Sequence, residues 1–369
     1  MGKRGTDKTG SSSPSLGELN RKIDRVNREL VKLLGEHAQL SEKIGRLRQA
    51  AGERPFDLAT EQQWLQQLGE AHQGPLTAPC LRAVFRELLS GARALVKPLR
   101  VSYLGPVYSY SHLAAIERFG SSAELIPVAT ISAVFEELDR QQVDYGIVPL
   151  ENSTDGRVAD TLGMFARLPA RICGEVQLRI HHHLLGRGQR GDIREVYSKP
   201  QALSQCREWL ARHLPQARLV EMTSTTAAAQ LAADKPGAAA IASQQAGVNY
   251  GLSVLAENIE DNANNLTRFA VIGDHVERRT GKDKTAVMFE IPHAPGALAD
   301  VMMTFKRAGL NLTWIESFPM PRTENEYLFF VEMEGHETDA RVRKALVALQ
   351  RKTARLELLG SYTKSPPVE

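Results

Sequence analysis

Between Leu16 and Leu47 the seam positions recur in alternating steps of three and four: Leu16, Leu19, Ile23, Val26, Leu30, Leu33, then His37, then Leu40, Ile44 and Leu47. The spacing keeps one stripe of a single helix apolar for more than four heptads. A stripe of that length predicts a helix packed against another helix along its whole length, and a second copy of the chain is a candidate partner. Gly52 and Pro55 then interrupt the pattern, Thr60 to Gly69 and Pro79 to Val96 read as two further helices, and Pro98 closes the segment. The polar stretch 1–15 reads as a disordered leader, and the terminal "KSPPVE" as a frayed tail.

The periodicity changes beyond Pro98. Short β-rich runs ("VSYLG", "AELIPV", "YGIVPL", "EVYSK", "RLVEM", "AAAIAS", "RFAVIG") alternate with helical stretches, which predicts an α/β domain whose ligand cleft lies at strand ends. The charged stretch "ERRTGKDK" reads as a linker to a separate βαββαβ unit formed by "TAVMFEIP", a helix through Phe305, "NLTWIESFP", "YLFFVEME", a helix over 339–352 and "LELLGSY". A length of 369 residues, 42% of them hydrophobic, can fill two or three such cores.

Composition removes several function classes. Lys plus Arg (46) barely exceeds Asp plus Glu (43), and no basic block is interleaved with aromatic residues, so nucleic acid is not an expected partner. No apolar run is long enough to cross a membrane. Cys80, Cys173 and Cys206 lie far apart without a CxxC pair, which argues against a zinc site and for a reducing, cytoplasmic location. His181 to His183 stand side by side, and on a strand such neighbours point to opposite faces, so no metal site is expected. "GQRGD" and "GRG" lack nucleotide-loop spacing, and no cofactor is expected.

In the middle region polar clusters repeatedly follow apolar strands: "LGPVYSYSH", "PLENSTDG", "SKPQAL", "TSTT" and "NNLTRF". Each alone is explained by helix capping, as "ST" before "AAAQLAA" illustrates. Together they fit a small acid-bearing ligand held in a cleft. A non-catalytic sensor of small acids would carry the same features.

These stretches carry a family resemblance. Residues 101–275 resemble prephenate dehydratase through "LGPVYSYSHLAA", "VPLENSTDG", "VYSKPQALSQC", "AAIAS" and "YGLSVLAENIEDNANNLTRF". Residues 285–362 resemble the ACT regulatory domain through "PGALADVM" and "GLNLTWIESFP", and the N-terminal helices resemble an AroQ-type chorismate mutase. The resemblance implies a multidomain chain: helical 16–97, a two-lobed, periplasmic-binding-protein-like α/β dehydratase at 100–275, and an α+β, ferredoxin-like ACT domain at 284–363.

It also implies conversion of prephenate to phenylpyruvate. Thr267 would donate to the departing hydroxyl, while Arg268 would pair the pyruvyl carboxylate or hold the cleft loops. Asn152 and Ser153 would support it, and Glu151 would be structural or hold a proton. Ser111, Ser198, Gln201, Thr225 and Phe269 would bind substrate. Two departures stand out: "GPVYSYSH" in place of the family's "GPEGTYSH", and Lys199 in place of the histidine of "YSHPQ".

In the mutase-like helices Asn20, His37 and Thr60 stand where binding arginines are expected, and Ala92 and Val96 where a serine and a glutamine are. Only Arg48, Asp57 and Glu61 keep comparable chemistry. The expectation is a mutase-like segment without mutase activity, serving at least a homodimer; a fully bifunctional enzyme is the alternative. In the ACT-like region Gly296, Ala297, Leu298, Asn311, Glu316 and Ser317 keep the pattern for L-phenylalanine, with Phe318 replacing the arginine of "ESRP".

Overall fold

A computed structural model describes residues 14–71, 74–154, 156–319 and 327–368. The expected leader lies outside them up to residue 13. Ser15 accepts a hydrogen bond from the Glu18 amide while the Glu18 carboxylate accepts from the Ser15 amide, a reciprocal cap that starts helix α1, Leu16–Ala50. Helices α2, Leu58–Ala71, and α3, Ala78–Ala94, complete the helical segment. The apolar seam does not find its partner among the described residues. Its side chains are exposed, from 43% at Val26 to 75% at Leu16. Near its C-terminus α1 meets the segment that follows α3: a Cβ at Gly45 would lie 2.9 Å from Val96 Cγ2.

The two-lobed region follows. It opens with β1 (Arg100–Leu104), α4 (Tyr110–Phe119), β2 (Glu124–Val128), α5 (Ile131–Asp139), β3 (Tyr145–Asn152), β4 (Gly156–Arg157), α6 (Ala159–Phe165) and β5 (Arg171–Arg179). The second lobe comprises β6 (His183–Gly186), β7 (Glu195–Ser198), α7 (Pro200–Gln205), α8 (Arg207–His213), β8 (Arg218–Glu221), α9 (Thr225–Asp234), β9 (Ala238–Ala242), α10 (Gln244–Asn249) and β10 (Ser253–Ala256). The chain then returns to the first lobe as β11, Leu266–Gly273, inserted antiparallel between β5 and β3. Two crossings join the lobes, and the cleft lies between them.

The C-terminal unit contains β12 (Asp283–Glu290), α11 (Ala297–Ala308), β13 (Leu312–Pro319), β14 (Tyr327–Glu334), α12 (Ala340–Gln350) and β15 (Arg355–Thr363). Its sheet order, β13-β14-β12-β15, is that of a ferredoxin-like βαββαβ unit. The unit keeps its own sheet and a core of its own, and it also packs against the first lobe. Ala286, Met288, Leu328, Phe330, Leu359 and Tyr362 share one buried cluster with Val148, Leu150, Ile172, Ala270 and Ile272 of the first lobe. The stretch 277–284 is itself tied down: Asp283 accepts from the Thr280 and Gly281 amides at 2.9 and 2.8 Å, and Glu277, Asp283 and Lys284 are buried.

The expected frayed end is also ordered. Pro367–Val368 forms β16, which pairs parallel with β5 and gives the first-lobe sheet the order β16-β5-β11-β3-β1-β2, with β4 paired to β3.

Candidate active site

The cleft between the lobes, about 740 Å3 in volume, is lined on one side by Asn152, Thr267 and Phe269 and on the other by Lys199, Gln201, Gln205 and Thr225. Strand pairing sets Thr267 of β11 directly opposite Asn152 of β3. Asn152 Nδ2 donates to Thr267 Oγ1 at 2.7 Å and to Asn265 Oδ1 at 3.0 Å. Its Oδ1 accepts from the Thr154 amide at 2.9 Å, which fixes the amide's orientation. Thr267 therefore spends its oxygen on Asn152 and keeps its own proton for a ligand. The hydroxyl is buried, where a hydrogen bond of given geometry is worth more than in water.

The polar chain continues inward. Asn265 Nδ2 donates to Gln205 Oε1 at 2.9 Å, His182 Nε2 lies 2.8 Å from the same oxygen, and the Tyr110 hydroxyl lies 3.0 Å from His182 Nδ1. Burial lowers the His182 pKa and raises that of Tyr110 well above the usual phenol range, so both are neutral near pH 7. The three histidines do not share a strand. His181 pairs with Glu260 at 2.8 Å, His182 enters the polar chain, and His183 accepts from the Asn258 amide at 3.4 Å. Among the described residues no cluster of histidine, cysteine or acidic side chains could hold a metal ion.

Of the residues singled out from the sequence, Thr267, Asn152, Ser111, Gln201, Thr225 and Phe269 line the cleft. Four others, Ser198, Ser153, Arg268 and Glu151, are drawn elsewhere. Ser198 is fully buried and donates to the Ile241 carbonyl at 2.6 Å, fastening β7 to β9. Ser153 accepts from the Leu266 amide at 2.9 Å and donates to the Asn264 carbonyl at 3.2 Å, which clamps the loop before β11.

Arg268 departs furthest from the expected role on a substrate carboxylate. Neighbouring side chains on a strand point to opposite faces, so with Thr267 in the cleft Arg268 must emerge behind it. There its two terminal nitrogens meet Glu151 at 2.9 Å, Glu175 at 3.2 Å and Glu332 at 2.6 Å. Lys284 Nζ lies 2.8 Å from Glu175 and 3.5 Å from Glu332, and the Tyr362 hydroxyl donates to Glu332. Glu151 is thus a partner of Arg268 and has no place in the cleft. Burial alone would raise the Glu175 carboxyl, but Lys284 and Arg268 outweigh it and its pKa is lowered.

The residues retained from a mutase pattern are likewise dispersed. Asp57 caps α2 through the Thr60 amide at 3.0 Å and faces Arg278 at 3.5 Å. Glu61 is paired with the buried Arg93, though burial still raises its carboxyl, and Arg48 lines a separate small cavity with Asp57. In the C-terminal unit Gly296, Ala297 and Leu298 begin α11 and Asn311 follows its end, about 18 Å away at 1.5 Å per residue. Glu316 pairs with Arg157 at 2.9 Å, while Ser317 points to the exposed face of β13. Phe318 packs against the first lobe beside Gly163.

Sequence similarity agrees with this division. Residues 101–277 match the family model for prephenate dehydratase, and residues 19–97 that for chorismate mutase type II. A bifunctional chorismate mutase/prephenate dehydratase of Aquifex aeolicus is 39% identical over 355 residues, covering 95% of this chain and 98% of that protein. The chain belongs to the chorismate mutase/prephenate dehydratase family. A solved prephenate dehydratase from Arthrobacter aurescens, in complex with L-Phe, covers 73% of this chain and 92% of its own at TM-score 0.67 and 33% identity. A solved quorum-quenching acylase, GqqA, covers 72% and 98% at TM-score 0.67 and 26% identity, so this dehydratase fold is not confined to one chemistry. Asn265, Gln205 and Tyr110 fall within the quoted stretches "NNLTRF", "VYSKPQALSQC" and "LGPVYSYSH", but nothing local in the sequence joins them to one another or to His182.

Proposed function

We propose that the chain converts prephenate to phenylpyruvate in phenylalanine biosynthesis. The carbon–carbon bond to the ring carboxylate breaks, its electron pair completes the aromatic ring, and the ring hydroxyl leaves. With one proton taken up, the dianion becomes phenylpyruvate, carbon dioxide and water. Aromatisation drives the reaction, so the protein needs chiefly to orient the substrate and stabilise departing hydroxide. The observation that carries this reading is the Thr267 hydroxyl, which lines the cleft and accepts from Asn152, so that its own proton is left to donate. A threonine is too weak an acid to act by pKa, and its contribution is a preorganised hydrogen bond.

The substrate is an anion, and the cleft answers with Lys199. Arg157 is paired with Glu316, Arg268 lies behind the sheet, and His182 is neutral. Lys199 has no side-chain partner among the described residues and meets the pyruvyl carboxylate in this reading. The test is phenylpyruvate formation from prephenate near neutral pH, above the regime of spontaneous acid conversion, with Thr267→Ala as control. No turnover above the blank would leave a binding protein with this outline.

The C-terminal unit acts in this reading as an ACT effector domain for L-phenylalanine, the ligand of the Arthrobacter aurescens relative. Gly296 to Leu298 and Asn311 lie at opposite ends of α11, so one copy does not assemble the site and a homodimer is required. The exposed seam of α1 is the second contact of that dimer. The location is cytoplasmic; the three cysteines are free, and no described helix is long and apolar enough to cross a membrane.

The helical segment lacks mutase activity in this reading. Asn20, His37, Thr60, Ala92 and Val96 cannot supply the charges a dianion needs, and Glu61 is already committed to Arg93. The bifunctional alternative is favoured by the names of the relatives. Turnover of chorismate by the unmodified protein would decide for it.

A further inference from the structure

Three adjacent strands carry the catalytic rung: Thr267 on β11, Asn152 on β3 and Gly156 on β4 are in register. The next rung is Arg268, Glu151 and Arg157, again in register across the same strands. Paired residues share a face of a sheet and successive residues alternate, so the second rung directs its charged groups to the reverse side, although Arg157 also borders the cleft. There the C-terminal unit meets it at both ends. Glu332 of β14 grips Arg268 with both oxygens, at 2.6 and 2.8 Å, and Glu316 of β13 grips Arg157 at 2.9 Å.

The first grip is rigid. Glu332 and Glu175 are 1% and 2% exposed, and Lys284 and Tyr362 fix Glu332 from its own unit. The Arg268 guanidinium also lies over the Trp314 ring of β13, 5.7 Å from its centroid. Charges this deeply buried tolerate few alternative arrangements, because any uncompensated one is costly. A displacement of the C-terminal sheet therefore has to move Arg268, and Thr267 is joined to Arg268 by one peptide bond.

We propose that Glu332, assisted by Glu316, is a positioning residue for the dehydration: by holding the Arg268–Glu151–Arg157 rung, the C-terminal unit sets the placement of Thr267 and Asn152. This rests on the dehydratase and effector readings above. It adds the route by which an effector on the C-terminal unit reaches the chemistry, a shift of the grip on the reverse of the catalytic rung.

The test uses the full chain with Glu332→Gln and Glu316→Gln, singly and together, in steady-state prephenate assays with and without L-phenylalanine. Misplacement by about 1 Å can cost about a hundredfold in rate. For Glu332→Gln we expect kcat to fall about tenfold or more, with KM changed less than about threefold, because Lys199 on the opposite wall of the cleft is untouched. The smaller Glu316→Gln loss should add to it. Binding of L-phenylalanine should persist while its effect on kcat shrinks, a dissociation that a merely structural role would not produce. A folded Glu332→Gln protein whose kcat and effector response match the parent overturns the proposal. Should that variant not fold, Tyr362→Phe removes only one donor to Glu332; its kcat should fall severalfold, and parent-like kinetics overturn the proposal equally. An inactive parent would instead remove the dehydratase reading, and this inference with it.

Discussion

On the cleft face of β11, Thr267 has accepted one hydrogen bond and retains a donor; on the reverse face, one residue along, Arg268 has both terminal nitrogens engaged by three carboxylates. The first face keeps a donor for a ligand, whereas on the second the charge of Arg268 is already met by carboxylates and only its buried Nε lacks a partner among the described residues. A single strand thus separates a group kept available for chemistry from a group committed to architecture. The difference explains why the basic residue beside Thr267 does not reach into the cleft.

The contrast can be broken from either side. Arg268→Met should have the largest effect: removing one partner from a buried ionic cluster typically costs about 3–5 kcal/mol, and chemical denaturation should show that loss. The same cluster gives a pH dependence. The Glu175 pKa is lowered in the folded state, so its contribution is fully present above the ordinary carboxylate range and is lost as pH falls through the folded value. Unfolding measured at decreasing pH should show this acid-side loss, and it should be smaller in Lys284→Met.

Thr267→Ala should do the opposite, leaving stability nearly unchanged and lowering kcat about a hundredfold to a thousandfold, as for loss of one preorganised donor. If it unfolds the protein instead, the two faces are not functionally distinct. Lys199→Met should raise KM for prephenate about tenfold with less change in kcat, equivalent to about 1.4 kcal/mol of uniform binding. An unchanged KM would remove Lys199 as the anchoring cation. The smallest effect is expected for Ser153→Ala, about 1 kcal/mol of stability through the loss of the loop clamp, with kcat near that of the parent.

Much of the architecture was legible because it rests on local periodicity. The steps of three and four in α1, and the apolar runs now seen as β1, β3, β9 and β11, announce themselves. Strand β5 was missed because Arg171, Glu175, Gln177 and Arg179 interrupt its apolar residues, and only the fold reveals that Glu175 is buried against Lys284. The docking of the C-terminal unit left one trace. Strand β12 is apolar at consecutive positions from Ala286 to Phe289, as expected of a strand covered on both faces. In the site, alternation along β11 was enough to separate Thr267 from Arg268, but no local pattern reports that Glu332, 64 residues away, waits behind the sheet. Gln205 and His182 are likewise brought to Asn265 only by the closing of the two lobes.

Strand β16 gives the fold a timetable. Residues 367–368 pair with β5, and Ser365 donates through its amide to the Glu175 carboxylate at 3.0 Å and through its hydroxyl to the Glu175 carbonyl at 2.8 Å. The sheet bearing Thr267 is therefore unfinished while the ribosome is still making the last residues of this stretch. A nascent chain can hold every cleft residue and still lack an edge of its catalytic sheet, so full assembly is deferred until translation has passed residue 368.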